Sequence, residues 1–257
     1  MHPQSFKNYQ QEVKLVRIVD STILITGANR GIGRALVEKS LEKGAAKVYA
    51  TYRLEKNRSQ FDEFGEQVVP VHLDLGNPAL ISQLSQSVPS LNILINNAGI
   101  LSALSLLEDT EEELRQDFGI NFFGTLAVTK LLLPVLKKEN AAAIVNVASI
   151  ASLAAMPSLG GYSASKAALH SMTQSIRSEL KADGIAVHGV YPGPVATRMT
   201  EGFDMEMTSA LVVAENILEG IENSVEDIFP DAMAQQTGPI FLSSPRKQRS
   251  VQASWAN

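Results

Sequence analysis

The sequence predicts an α/β fold: a doubly wound parallel sheet of about seven strands with helices on both faces. Three observations carry this expectation. Short β-branched runs alternate with amphipathic helical segments, with no internal repeat and no linker between them, the pattern of strands joined by helical crossovers. A glycine-rich turn, Gly27 to Gly33, lies directly between the first run and the first helical segment, the context in which a glycine motif carries meaning. Finally, 257 residues, 45% apolar and 19% charged, suit one domain with a full core.

Composition excludes several function classes. A net charge of -5 and a pI near 5.5 offer no basic field for nucleic acid or an anionic membrane. The one cationic cluster, Arg246, Lys247 and Arg249, reads as a solvated tail. The absence of cysteine rules out disulfides, thiol catalysis and cysteine metal sites, and no metal site is expected. No apolar run reaches the eighteen or so residues of a membrane span, and MHPQSFKNYQQEV lacks the apolar centre of a signal peptide. The expectation is a cytoplasmic protein. Residues 1–20 read as a partly disordered leader, and 21–257 as a single domain.

In chain order, TILIT (22–26) is the first strand and RALVEKSLEK (34–43) the first helix, ended by Gly44. In the turn between them, Gly27 bends the chain tightly, Gly31 lets backbone approach a pyrophosphate, and Gly33 lets helix pack on strand. The anion then sits at the helix N-terminus, where free N–H groups and the dipole favour negative charge. KVYATYR (47–53) is the second strand, and its end selects the nucleotide. An acid there would bind the ribose hydroxyls of NAD. The chain instead has Arg53, with Arg30 in the glycine turn; Glu55 and Glu38 are weak competitors. Two guanidinium groups and no carboxylate suit a 2′-phosphate, hence NADP.

A helical stretch near 57–63 leads to a third strand in QVVPVHLDL (67–75), with Asp74 at its carboxyl end, in reach of an adenine amino group. His72 reads as a core or edge histidine. Helix 78–87 precedes NILINNAGI (92–100), a buried strand ending in the small-residue turn Asn96–Gly99. Thr110 and Glu113 form a capping box for a helix to about Lys138, expected to bend near Pro134. Asn121, amid apolar neighbours on that helix, needs partners. Residues 142–149 form a strand, 162–182 a helix, and 185–199 a strand ending at Tyr191 followed by the Pro192–Gly193 turn. Residues 208–222 read as a helix. EDIFP (226–230) reads as the last strand, with TGPIFL (237–242) as the alternative.

Tyr162 and Lys166 are four apart, on one face of a helix. A nearby ammonium favours a phenolate and should lower the phenol pKa; such a Tyr exchanges a proton with a carbonyl or alcohol oxygen. Ser149, at the end of its strand, lies at the edge where open α/β sheets place ligands.

These motifs together resemble the short-chain dehydrogenase/reductase family in its single-domain, Rossmann-like form, over about residues 20–200. Thr26-Gly27-x3-Gly31-Ile32-Gly33 is similar to its cofactor turn, Asn96-Asn97-Ala98-Gly99 to its strand-four motif, and Asn121, Ser149, Tyr162 and Lys166 to its catalytic tetrad. Pro192-Gly193 with Thr197 is similar to its nicotinamide-side loop. The resemblance implies Tyr162 as general acid/base, Lys166 binding the nicotinamide ribose and tuning Tyr162, Ser149 orienting the carbonyl, and Asn121 anchoring a water that relays protons. It implies a dinucleotide along Gly27, Asn29, Arg30, Gly31, Ile32 and Gly33. The same cofactor would lie beside Arg53, Asp74 and Leu75, against Asn97, Ala98 and Gly99, and over Tyr162, Lys166, Pro192, Gly193, Val195 and Thr197. The carboxamide would rest on Val195 and Thr197. An NADPH-dependent reduction of a small-molecule carbonyl follows.

Two features depart from the family pattern. Only about ten residues, Arg198 to Met207, follow Thr197 before the next helix, and the C-terminus lacks the usual closing strand with its Gly-Gly end. A binding protein that senses the dinucleotide without turnover is the alternative class, and an epimerase or dehydratase a third. The complete tetrad favours the enzyme. An apolar neighbourhood of Leu101, Leu104, Ala151, Leu153, Met156 and Met199 points to a hydrophobic carbonyl. Helices 110–138 and 162–182 carry excess apolar residues: Leu126, Val128, Leu131, Leu132, Val135 and Leu136, with Ala167, Leu169, Met172 and Ile176. They point to a homo-oligomer, a dimer rather than a tetramer. The resemblance implies the same four-helix contact. His170 lies one turn beyond Lys166, and Trp255 in the tail reads as docked.

Overall fold

The computed structural model describes residues 15–102, 105–202 and 204–244. Among them, seven strands form one sheet: β1 (Thr22–Ile25), β2 (Lys47–Tyr52), β3 (Val68–His72), β4 (Ile93–Asn96), β5 (Ala142–Val147), β6 (Ile185–Val190) and β7 (Asp227–Ile228). Their order is β3-β2-β1-β4-β5-β6-β7, and every pairing is parallel. The helices are α1 (Gly31–Glu42), α2 (Pro78–Ser87), α3 (Glu111–Phe118), α4 (Thr125–Leu136), α5 (Gly160–Leu180), α6 (Ala210–Glu222) and α7 (Ala232–Ser243).

The central strands are apolar on both faces because helices cover both. Ile23, Ile25, Ile93, Ile95 and Val145 pack with Leu36 and Val37 of α1 and Val213 and Ile217 of α6. The alternate residues Leu24, Leu94 and Ile144 pack with Leu84 of α2, Val128 and Leu132 of α4 and Leu180 of α5. Side chains alternate across a strand, so each run serves two cores at once. The expected doubly wound parallel sheet is therefore present.

Local chemistry explains most helix starts. Asn77 caps α2, Thr110 and Glu113 form the capping box of α3, Ser209 caps α6 and Asp231 caps α7. Four features differ from expectation. Strands β3, β5 and β6 end before Asp74, Ser149 and Tyr191, so those residues lie in the loops beyond the sheet edge. Helix 110–138 contains an unexpected π-helical turn, Gly119–Gly124, which carries Asn121, and Pro134 lies inside α4. TGPIFL belongs to helix α7, because Asp231 caps the segment that contains it. Val16 and Ile18, placed in the leader by sequence, are buried in the core, and the Ile18 N–H donates to Glu222.

The apolar helix faces also read differently in three dimensions. Val128, Leu132, Val135, Leu136, Leu169 and Met172 are buried within the chain itself, because α4 and α5 pack tightly against the sheet and loops. The continuous helical run Glu111–Leu136 has the length and apolarity of a membrane span. Its apolar face is nonetheless that of a core helix, with Val128, Leu132 and Leu136 fully buried. Leu104, Trp255 and the cluster Arg246, Lys247 and Arg249 lie outside the described residues, as do residues 1–14.

Candidate active site

The site forms where the sheet order reverses, between the carboxyl ends of β1 and β4; at such a switch point an open α/β sheet leaves a crevice. Gly27 and Gly31 adopt left-handed φ values of 64° and 55°, which side chains rarely tolerate. A Cβ on Gly33 would lie 2.3 Å from the Gly27 carbonyl oxygen. Only glycine therefore lets α1 approach the turn this closely.

Side-chain hydrogen bonds stitch the turn to its neighbours. Thr26 Oγ1 accepts from the Asn97 and Ala98 N–H groups, both at 2.9 Å. Asn97 Nδ2 donates to the carbonyls of Thr26 and Gly27 at 2.9 and 3.2 Å. Thr51 Oγ1 accepts from the Gly27 N–H at 2.9 Å. Unlike α2, α3, α6 and α7, α1 has no side-chain cap on its first amides. Uncapped N–H groups behind a glycine cradle fit a pyrophosphate.

A cavity of about 590 Å³ runs across this edge, lined by every residue expected to hold the cofactor and by Ser149, Tyr162 and Lys166. Asn121 does not line it. Its amide is engaged behind the cavity, with Oδ1 accepting from the Ile100 N–H and Nδ2 donating to the Ile100 carbonyl and Ser165 Oγ, all at 2.9 Å. Ser165 Oγ donates in turn to the Tyr162 carbonyl at 2.8 Å. Asn121 thus ties the loop after β4 to the helix that carries Tyr162.

The two ends of the cavity differ in chemistry. Near β2 it is lined by Arg30, Arg53, Lys56 and Arg198, and among the described residues Asp74 is the only acidic one in its wall. Asp74 Oδ1 accepts from the Gly76 N–H at 2.9 Å. Burial, then the charges of Arg198 and Arg53, hold the Arg30 pKa below its ordinary value, a field that an anion would relieve. At the other end the wall is Leu101, Met156, Leu159, Met199, Met205 and Met233. Leu153, expected there, packs away from the cavity beside Ala148, Ile150 and Leu169, because it follows a tight 3-10 turn after Ser149.

Tyr162 and Lys166 sit between the two ends, both buried on α5. Burial pushes the Tyr162 phenol up to about 12; a hydrogen bond with Ser149 opposes the rise and the charge of Asp117 adds to it. The expected lowering by Lys166 is thus reversed. The ammonium lies 5.8 Å from the Tyr162 ring centroid and donates to the Val147 carbonyl at 2.8 Å. Burial in turn brings Lys166 down to about 8, against a raising contribution from Asp117.

Sequence reasoning missed Asp117, fully buried and accepting from the Ser102 N–H at 2.9 Å; an acid on a helix gives no signal of its own. It also missed Arg198, which follows the recognised Thr197 directly. Asp231 was missed too, although Asp before a helical segment is a legible N-cap.

A dinucleotide-binding oxidoreductase is the class of protein with which this crevice, cradle and Ser-Tyr-Lys grouping agree. The short chain dehydrogenase family profile matches residues 21–207, and the chain belongs to that family. It is 31% identical, over 97% of its length and 76% of the relative's, to a bovine (Bos taurus) protein named dehydrogenase/reductase SDR family member 9. It is 28% identical, over 88% of each chain, to a 3-alpha-(or 20-beta)-hydroxysteroid dehydrogenase of Mycobacterium bovis. Among solved structures, a short chain dehydrogenase from Burkholderia cenocepacia in complex with NADP superposes with a TM-score of 0.85 at 33% identity, covering 92% of this chain and 99% of that one. A Burkholderia phymatum structure in complex with NAD shares the fold, with a TM-score of 0.79 at 24% identity, covering 91% of this chain and 97% of that one. The protein is therefore an oxidoreductase that uses a nicotinamide dinucleotide.

Proposed function

We propose that this oxidoreductase reduces an apolar ketone or aldehyde with NADPH. The observation that carries the reading is the polarity of one cavity: cationic at the β2 end, apolar at the other, with Tyr162 between. Four basic residues and one acid at the nucleotide end favour a 2′-phosphate over free ribose hydroxyls, since guanidinium groups bind phosphate through charge-assisted, bidentate bonds. A large apolar wall with no charged handle favours a hydrophobic substrate. The mycobacterial relative, named for hydroxysteroids, supports the same chemistry.

NADPH, when bound, supplies the hydride. The Tyr162 hydroxyl donates a proton to the substrate oxygen, and its high pKa keeps that proton available at neutral pH. Ser149, hydrogen-bonded to Tyr162, holds the carbonyl oxygen in line. Lys166 places positive charge beneath the site and would hold the ribose. Asn121 fixes the backbone around these groups. The intact Asn121, Ser149, Tyr162 and Lys166 set favours turnover over a purely sensing role.

The test is initial rates of NADPH and NADH oxidation across ketones, aldehydes and quinones of graded size. Preference for NADPH with activity on apolar carbonyls is expected. Tight NADPH binding with no turnover on any of them establishes the sensing alternative, and equal use of NADH rejects the nucleotide assignment.

The protein is further proposed to form a homodimer through α4 and α5. Phe123 remains 60% exposed, and a groove lined by Phe122, Leu126, Leu133, Met172 and Ile176 lies between the two helices. Light scattering after size exclusion decides between this and a monomer.

A further inference from the structure

We propose that Asp231 is a positioning residue that holds the Pro192–Gly193 turn in register with the active site and locks the first turn of α7 to it. Asp231 lies beyond residue 207, where the family match ends. Its side chain is 2% exposed. Oδ2 accepts from the Gly193 N–H at 2.7 Å, and Oδ1 accepts from the Ala234 N–H at 2.9 Å. Among the described residues no cation forms an ion pair with it. A buried carboxylate held by amides alone is costly unless its acceptors are used, and here both oxygens are used, each on a different element.

The turn has one donor to give. Pro192 and Pro194 lack an N–H, so Gly193 supplies the only amide of the triplet, and it is spent on Asp231. On the other side, the Pro192 carbonyl accepts from the Ile150 N–H at 3.0 Å and from Ser149 Oγ at 3.4 Å. A chain of bonds thus runs from the α7 cap through the turn to Ser149. The fit is close: a Cβ on Gly193 would lie 2.8 Å from Asp231 Oδ1. Met233, two residues into the capped segment, reaches the cavity wall beside Gly193. Capping alone would need one oxygen, and serine, threonine or asparagine would serve. The second oxygen is what the turn requires.

The inference rests on the reading that the nicotinamide half lies against Pro192 and Gly193, and the experiment separates the two. Asp231→Asn keeps an acceptor for the cap and sets an NH2 against the Gly193 N–H. Asp231→Ser keeps the cap and is too short to reach Gly193. For each, kcat and the affinities for NADPH and for adenosine 2′,5′-bisphosphate, which contacts only the β2 end, are measured in the full chain. The expected result is a loss of about ten-fold or more in kcat, weaker NADPH binding, and bisphosphate affinity within about two-fold of wild type. Unchanged kcat and NADPH affinity in both variants overturn the proposal. So does a parallel loss of both ligands, which marks general destabilisation. If Asp231→Asn does not fold, Asp231→Ser decides alone, and Gly193→Ala, which presses on the same carboxylate, must reproduce its pattern. A wild-type preference for NADH instead rejects the nucleotide assignment, and the same comparison then runs with NADH and AMP.

Discussion

The two ends of the cavity are built in opposite ways. At the β2 end, backbone makes the site: glycines, the uncapped amides of α1 and the Thr26–Asn97 stitching are fixed by short-range geometry, and cations decorate the rim. At the substrate end, side chains make the site. Four methionines from three segments, Met156, Met199 with Met205, and Met233, converge there. Unbranched thioether side chains adapt their shape. The contrast teaches that one end of the cavity is built from fixed backbone and the other from adaptable side chains. Among the described residues a bridge between Val195 and Thr208 closes the loop after Thr197, and Met199 and Met205 on it are 39% and 41% exposed.

The largest effect comes from the residue between the ends. Tyr162→Phe is expected to lower turnover by about 10²–10⁴-fold while NADPH affinity stays near wild type, since only the proton donor is lost. Wild-type rates on the best substrate would remove the proposed mechanism.

Lys166 sharpens the contrast through stability. Its folded pKa of about 8 lies below the ordinary 10.5. Between these values the unfolded chain binds more protons, so wild-type stability climbs with pH across that window. The cost of the buried ammonium is fully present below about pH 8 and gone above about 10.5. At about 1.4 kcal/mol per pKa unit, that cost is roughly 3 kcal/mol. Thermal melts of Lys166→Met should therefore lack this climb, although turnover is lost. Tyr162 contributes an opposing fall above pH 10 in both proteins, so it cancels in the difference. Parallel melting curves from pH 7 to 10.5 would contradict the assignment.

Arg53→Ala acts at the β2 end alone. It should weaken NADPH by about 1.5–3 kcal/mol, the magnitude of a hydrogen bond to a charged group, and leave NADH binding unchanged. Equal loss for both nucleotides, read by fluorescence titration, would place Arg53 away from the 2′-phosphate.

The smallest effect belongs to the substrate end. Met199→Ala should lower kcat/KM for a bulky apolar ketone by about 1 kcal/mol or less, because the side chain is only partly buried, with no change in NADPH affinity. A large loss would show that the substrate wall is as fixed as the nucleotide cradle.

The cradle was legible in the sequence because its parts are local. Gly27, Gly31 and Gly33 lie within one turn, and the capping box Thr110–Glu113 within four residues. The parallel sheet was legible from strand periodicity for the same reason. Asp117 and Asp231 were not, because each acts on residues far along the chain: Asp117 on the Ser102 amide and, by its charge, on Tyr162 and Lys166, and Asp231 on Gly193.

By itself the sequence determined the fold class, the glycine turn and the spacing of Tyr162 and Lys166, since propensity, backbone freedom and helical periodicity act over a few residues. Tertiary structure decided the rest. It reversed the expected phenol shift, because desolvation depends on everything packed around Tyr162 and Lys166. It turned apolar helix faces inward, because Val128, Leu132 and Leu169 meet the core of their own chain. It also gave the C-terminal region its place at the site, because a helix beginning at Ala232 lends its capping carboxylate to a turn thirty-eight residues earlier.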